Sequence, residues 1–216
     1  MTLPCAFDEE YFERGAVAGK SLYVNYRWLP ELSLRLAHNI ILKLGLNEET
    51  PILDYGCAKG YLVQSFRILD IPAYGCDISP YAISCASTEV APYCHLVTRA
   101  TRKLPPTSID FDWIMTKDVL EHMTEKEIDR FLLMAKYRTK GMFHVIPMGN
   151  GSTFTVPEYA RDPTHITAQP AGWWIAKFRQ FGWTKCLIEF SSRGIKENWT
   201  KEYPGGDGIF TLTEEA

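Results

Sequence analysis

Ile52-Leu53-Asp54-Tyr55-Gly56-Cys57-Ala58-Lys59-Gly60 is the stretch that decides the fold. Two apolar residues and an Asp end a buried strand, a turn of small residues follows, and an apolar pattern of helical period then begins. Gly56, Ala58 and Gly60 carry little or no side chain, so the backbone there can approach a ligand closely. A doubly wound sheet builds its nucleotide pocket in this way, at the carboxyl end of its first strand.

Outward from that turn the chain alternates strand and helix. Strands are expected near 51–55, 73–77, 94–97, 111–115 and 142–146, with helices near 59–69 and 80–90. A further helix follows a capping box in which Thr124 and Glu127 satisfy each other's backbone donors. Its buried face is expected at Ile128, Phe131, Leu132 and Ala135. After a long Gly-, Pro- and Thr-rich loop (147–169), Pro170 opens another helix, carrying Trp173, Trp174, Ile175, Phe178 and Phe181 and ended by Gly182. Strand-like runs at 185–190 and 208–212 complete the pattern. The expected fold class is α/β: a doubly wound, mostly parallel, seven-stranded sheet with helices on both faces.

The first 49 residues precede this alternation. They hold an aromatic stretch, Tyr23 to Trp28, and an amphipathic helix on which Leu32, Leu36, Ile40 and Leu44 recur at helical spacing. Pro30 suits its first turn and Gly45 its end. The expected division is 1–49 as a helical lid or extension and 50–216 as the nucleotide-binding domain. The aromatics either fold over the ligand as a lid or pack as core.

Composition narrows the class. The chain has 216 residues, 46% apolar and 23% charged, with a net charge of −3. These values fit a soluble globular protein and imply no general attraction to polyanions. The N-terminus has no basic and apolar signal regions, and no apolar run spans a bilayer. None of the six cysteines forms a Cys-x-x-Cys pair, so reduced cysteines in a cytoplasmic protein are expected.

The turn departs from the Gly-x-Gly-x-x-Gly fingerprint of dinucleotide sites. Its spacing is Gly-x-Ala-x-Gly, and Asp54 places negative charge where a pyrophosphate would lie. That charge suits a ligand carrying a cation, a sulfonium nucleoside rather than NAD. Asp77, at the end of the second strand and 17 residues beyond Gly60, is placed to accept both ribose hydroxyls. Its structural alternative is a cap before Ser79-Pro80.

Here three segments resemble a known family in the right order and spacing. Ile52–Gly60 resembles motif I of class I S-adenosylmethionine-dependent methyltransferases, Tyr74–Ser79 their second motif, and Phe111–His122 their fourth. The resemblance implies their Rossmann-like fold, S-adenosylmethionine as cofactor and S-adenosylhomocysteine as product. It implies backbone contacts from Gly56, Cys57, Ala58 and Gly60 to the methionine part, with Asp54 near its ammonium. Asp77 would hold the ribose, Ile78 would pack on adenine, and Lys117 and Asp118 would face the transferred methyl. Where the family often carries an adenine-reading Asp before a Leu-Pro pair, this chain has Ala100 before Leu104-Pro105. Thr98, Arg99 and Thr101 are the substitutes for that contact.

Methyl transfer from a sulfonium needs alignment, exclusion of water and, for a hydroxyl or ammonium acceptor, a base. His165, in Arg161-Asp162-Pro163-Thr164-His165, is the expected base, with Asp162 to orient it. Asp118, Glu121 and His122 stand at i, i+3 and i+4 and so share one helical face. With His165 they form an O/N set of the kind that holds a divalent ion, and some small-RNA 2′-O-methyltransferases resemble this run. The same Glu-His pair packs structurally in metal-free relatives, so the sequence leaves metal use open.

The expected function is S-adenosylmethionine-dependent methyl transfer to an oxygen or nitrogen of a small molecule, with nucleic acid disfavoured as acceptor by net acidity. The alternatives are a metal-assisted RNA or nucleotide 2′-O-methyltransferase and a non-catalytic cofactor-binding partner subunit. The sequence does not give the acceptor or the oligomeric state.

Overall fold

Seven strands form one sheet in the order β3-β2-β1-β4-β5-β7-β6. The structure is a computed structural model and describes residues 5–197 and 199–214. The strands are β1 (Ile52–Tyr55), β2 (Ala73–Asp77), β3 (Cys94–Leu96), β4 (Phe111–Lys117), β5 (Thr139–Pro147), β6 (Lys185–Glu189) and β7 (Asp207–Thr213). The first five are mutually parallel. β7 runs antiparallel to both β5 and β6. This is the doubly wound, mostly parallel seven-stranded sheet expected from the sequence.

Six α-helices flank the sheet: α1 (Glu9–Ala18), α2 (Pro30–Leu44), α3 (Tyr61–Ile68), α4 (Pro80–Ser84), α5 (Glu125–Lys136) and α6 (Ala171–Gln180). The period of two along each central strand sorts its side chains between the two faces. Leu53, Ile114, Met142 and Ile146 join Phe131 of α5 and Trp174 and Phe178 of α6 in one core. Their neighbours Ile52, Met115, Phe143 and Val145 join Ala37 and Ile40 of α2 and Val63 and Phe66 of α3 in the other. A one-residue slip in register would exchange the two faces.

The Thr124–Glu127 capping box forms, and Ile128, Phe131, Leu132 and Ala135 are the buried face of α5. Gly45 caps α2 in the left-handed region. Several expectations need correcting. The helix expected over 80–90 stops at Ser84, because Ser84, Cys85, Ser87 and Thr88 are weak helix formers that compete for backbone hydrogen bonds. β4 and β5 run longer than expected, since their flanking residues continue the parallel ladder. Leu32 belongs to the apolar stripe of α2 but is exposed. The long loop after β5 contains a 3₁₀ turn, Pro157–Arg161. α1 was not expected from the sequence at all. It is capped by Asp8, whose carboxylate accepts from the Tyr11 amide at 2.9 Å.

The strand order reverses between β1 and β4, so the connections leaving their carboxyl ends run to opposite sides and open a crevice there. Ligands of open α/β sheets bind at such a switch point. No helix among the described residues is long and apolar enough to cross a membrane.

Candidate active site

The turn after β1 is tightly built. Gly56 has φ +88°, and a Cβ there would lie 2.4 Å from Val119 Cγ2. Gly60 has φ +77° and faces Cys94 Sγ in the same way. Both positions therefore require glycine. Ala58 also adopts positive φ, and its amide donates to Asp77 Oδ2 at 2.8 Å. Asp77 Oδ1 accepts from the Ser79 amide at 2.7 Å. Asp77 thus ties the end of β2 to the turn while its remaining lone pairs stay available. Burial pushes its carboxyl up, against the amides of Ser79 and Ala58 that favour the charged form. Ser79 takes the N-cap of α4, accepting from the Ala82 amide.

Asp54 is buried at the end of β1, and among the described residues no donor hydrogen-bonds its carboxylate. Burial and then the neighbouring charge of Asp77 push its pKa up to about 7, with Lys117 opposing. A buried carboxylate of this kind fits a ligand that brings its own cation. The glycine cradle, the partnerless Asp54 and the half-satisfied Asp77 together fit a sulfonium nucleoside with a free ammonium.

A cavity of 140 Å³ opens on this turn, lined among others by Gly56, Ala58, Asp77 and Ile78. Thr98, Arg99 and Thr101 line it as well, at the place expected for the adenine. Asp54, Cys57 and Gly60 are buried behind the turn and do not line it. The N-terminal segment closes the cavity from the other side. Phe7, Tyr11 and Phe12 contribute to its wall. Phe12 stacks between Tyr23 and Tyr81, with ring centroids 6.0 and 6.2 Å away. Lys59 of the turn is buried, pairs with Glu13 of α1 and donates to the Tyr26 carbonyl at 2.8 Å. The aromatic stretch is therefore both core and cover.

A second cavity, of 520 Å³, adjoins the first. Tyr11, Tyr23, Asp118 and His122 line both. Its own polar wall includes Lys117, Glu121, His165 and Lys196. Asp118, at positive φ just beyond β4, pairs with Lys117 and accepts from Lys196 at 2.8 Å. Burial alone would raise the Asp118 carboxyl, but the two ammoniums hold it well below the usual carboxylate range. Lys196 also lies 3.6 Å from Asp207 of β7.

Asp162 organises the loop after β5. It accepts from the Tyr11 hydroxyl at 2.8 Å and from the Thr164 hydroxyl at 2.6 Å. With its hydrogen committed to that carboxylate, Thr164 Oγ accepts from His122 Nδ1 at 2.8 Å. His165 Nδ1 donates to the Tyr159 carbonyl at 2.7 Å. Both imidazoles are thereby fixed with a lone pair on Nε2. Burial lowers the pKa of both, that of His122 to about 4 with the nearby His165 adding to the effect. His165 is accordingly neutral near pH 7 and able to take a proton.

Each expected site residue now has a place. Gly56, Ala58, Asp77 and Ile78 surround the first cavity, and His165 and Lys117 line the second. Asp118 and His122 stand at the junction, while Lys117 is not part of the turn's cavity. Trp174 is core, whereas half-buried Trp173 lines neither cavity and lies under the Lys177 ammonium. Arg99, of the basic cluster 99–103, pairs with Glu127. The cysteines described are all free. Sequence reasoning missed Tyr11, Glu13, Tyr159, Lys196 and Asp207. Only Tyr11 and Glu13 had a local signal, the Asp8 cap and the acidic first turn Glu9-Glu10 that precede Tyr11-Phe12-Glu13.

Residues 52–140 match the family model of a methyltransferase domain. No curated protein sequence matches the chain. The fold is similar to that of an S-adenosylmethionine-dependent methyltransferase from Archaeoglobus fulgidus, at 16% identity over 86% of this chain and 95% of that one, with a TM-score of 0.64. It is similar also to phosphoethanolamine N-methyltransferase 2 from Haemonchus contortus, at 12% identity over 96% and 58% of the two chains, with a TM-score of 0.65. A methyltransferase from Clostridium acetobutylicum matches at 11% identity over 84% and 92%, with a TM-score of 0.59. Residues 52–140, which hold the glycine turn, Asp77 and the β4 end, therefore form a methyltransferase domain, and the sheet around them has the fold of S-adenosylmethionine-dependent methyltransferases.

Proposed function

We propose that the chain methylates an oxygen or nitrogen nucleophile of a small molecule held in the larger cavity. The observation that carries this reading is the junction of the two cavities at Tyr11, Tyr23, Asp118 and His122. One cavity is shaped for the cofactor, and the other offers a polar wall for an acceptor. S-adenosylmethionine supplies an electrophilic methyl on a sulfonium sulfur. In this reading the backbone of Gly56 and Ala58 meets its amino-acid part, Cys57 and Gly60 shape the turn from behind, Asp54 balances the ammonium through water or a backbone group, Asp77 receives the ribose and Ile78 the adenine.

His165 is the base of this proposal. Its Nδ1 is fixed on the Tyr159 carbonyl, so Nε2 is free to take a proton. His122 borders the path between the cavities, and Asp118 anchors Lys117 and Lys196 beside it. The aromatic cover from α1 to Trp28 excludes water from the reacting centre. The test is a screen of small hydroxyl and amine acceptors with S-adenosylhomocysteine formation as readout. Turnover with an acceptor, lost in His165→Ala, supports the proposal. Turnover unchanged by that substitution removes His165 as base.

A further inference from the structure

Glu121 is fully buried, and neither of its carboxylate oxygens has a hydrogen-bond partner. It lines the larger cavity. One of its oxygens and one ring nitrogen each of His122 and His165 lie within 4.8 Å of one another, with His165 Nε2 3.9 Å from Glu121 Oε1. Both imidazoles spend their Nδ1 hydrogens elsewhere, on Thr164 and on the Tyr159 carbonyl. Three ligand-type side chains therefore stand together, and among the described residues neither Glu121 oxygen has a hydrogen-bond donor. The nearest cations do not fill the gap, because Lys117 and Lys196 direct their hydrogens to Asp118.

We infer that this trio is the seat of a primary ammonium, and that the acceptor methylated by this enzyme is an amine. The inference rests on the proposal that the larger cavity holds the acceptor, and it chooses between the oxygen and nitrogen acceptors left open there.

Donor counting favours this occupant. A hydroxyl brings one hydrogen and would leave the buried carboxylate without a positive partner. A primary ammonium brings three hydrogens and the charge that Glu121 lacks, and an unpaired buried carboxylate is costly. The spacing admits it. Acceptors about 2.9 Å from a tetrahedral ammonium nitrogen stand about 4.7 Å apart. Ligands of a metal ion with bonds of about 2.1 Å stand about 3.4 Å apart, so either occupant would shift the trio slightly, and the Zn²⁺ titration below separates them. Burial raises the Glu121 pKa, with the charge of Asp118 adding to it, and a cationic partner favours the ionised form that accepts its hydrogens.

The step balances with groups on the page. The ammonium passes one proton to His165 Nε2, which frees the nitrogen lone pair. That lone pair forms the N–C bond to the methyl as the S–C bond breaks, and its electrons remain on sulfur. The product is a secondary ammonium and a neutral thioether. Glu121 accepts from the remaining N–H and balances the imidazolium beside it.

The test uses the full chain saturated with S-adenosylhomocysteine, observed through its histidine ring signals by NMR. Benzylammonium and propylammonium chloride, benzyl alcohol and Zn²⁺ are titrated in turn. We expect saturable shifts at His122 and His165 with the ammoniums, none with the alcohol, and affinity reduced about tenfold or more in Glu121→Gln and in His165→Gln. Retained S-adenosylhomocysteine binding shows that both variants fold. An equal response to the alcohol, no saturable response to either ammonium, or affinity unchanged in both variants overturns the inference. Zn²⁺ binding that displaces the ammonium would also overturn it and assign the trio to a metal. None of these outcomes depends on turnover, so failure here is distinguishable from failure of the acceptor screen.

Discussion

The Tyr11 hydroxyl donates to Asp162 Oδ2 at 2.8 Å, joining α1 to the loop after β5 across 151 residues of sequence. This contact closes the N-terminal segment over the place where the two cavities meet. Tyr11→Phe removes it and leaves the ring packing intact. A hydrogen bond to a charged group contributes about 1.5–3 kcal/mol. We expect faster amide exchange over residues 8–18, with the central strands unaffected, in hydrogen-exchange mass spectrometry. Unaltered protection of α1 would show that the latch does not hold it.

Gly56→Ala tests the cradle. The substitution forces a side chain into positive φ and against Val119 Cγ2. Strain of this kind costs about 1–3 kcal/mol before the clash is counted. We expect S-adenosylhomocysteine affinity to fall about tenfold or more, with partial recovery in the Gly56→Ala/Val119→Ala double variant. Full affinity in the single variant would mean that the turn is free to move aside.

Asp54 carries a pH prediction. Its folded pKa is raised to about 7 by burial and by Asp77. A ligand ammonium favours the ionised form. Binding below pH 7 must therefore release a proton, and affinity should rise from pH 5 to 7 and then level off. The same raised pKa makes protonated Asp54 favour the folded state, so its contribution to stability fades as pH climbs from the unfolded value toward 7. Calorimetry in buffers of different ionisation enthalpy measures the released proton. No proton release at pH 6, together with pH-independent affinity, would place the ammonium elsewhere.

What could be read from the sequence was local. The turn, the capping box and the Pro30 and Gly45 ends of α2 are each fixed by residues within a few positions, and they form as read. Asp77 was legible because strand and turn sit close in sequence. Lys196 and Asp207 were not, because they reach the site only through the antiparallel return of β7 beside β5. The helical face expected for Asp118, Glu121 and His122 does not form, because Asp118 adopts positive φ and only a 3₁₀ turn, Leu120–His122, follows; the isolation of Glu121 was not legible either, since burial without a partner is set by everything packed around it. Leu32 is not a core residue because the apolar stripe of α2 runs on to the wall of the larger cavity.

The most direct test of the site assignment is a calorimetric titration of S-adenosylhomocysteine into the wild-type protein, Asp77→Ala and His165→Ala. Asp77 should contribute about 1.5–3 kcal/mol as an acceptor of ribose hydroxyls. The account requires one-site binding in the wild type, weakened by roughly that amount in Asp77→Ala and nearly unchanged in His165→Ala. Equal affinity in all three proteins, or binding of NAD with none of S-adenosylhomocysteine, would contradict it.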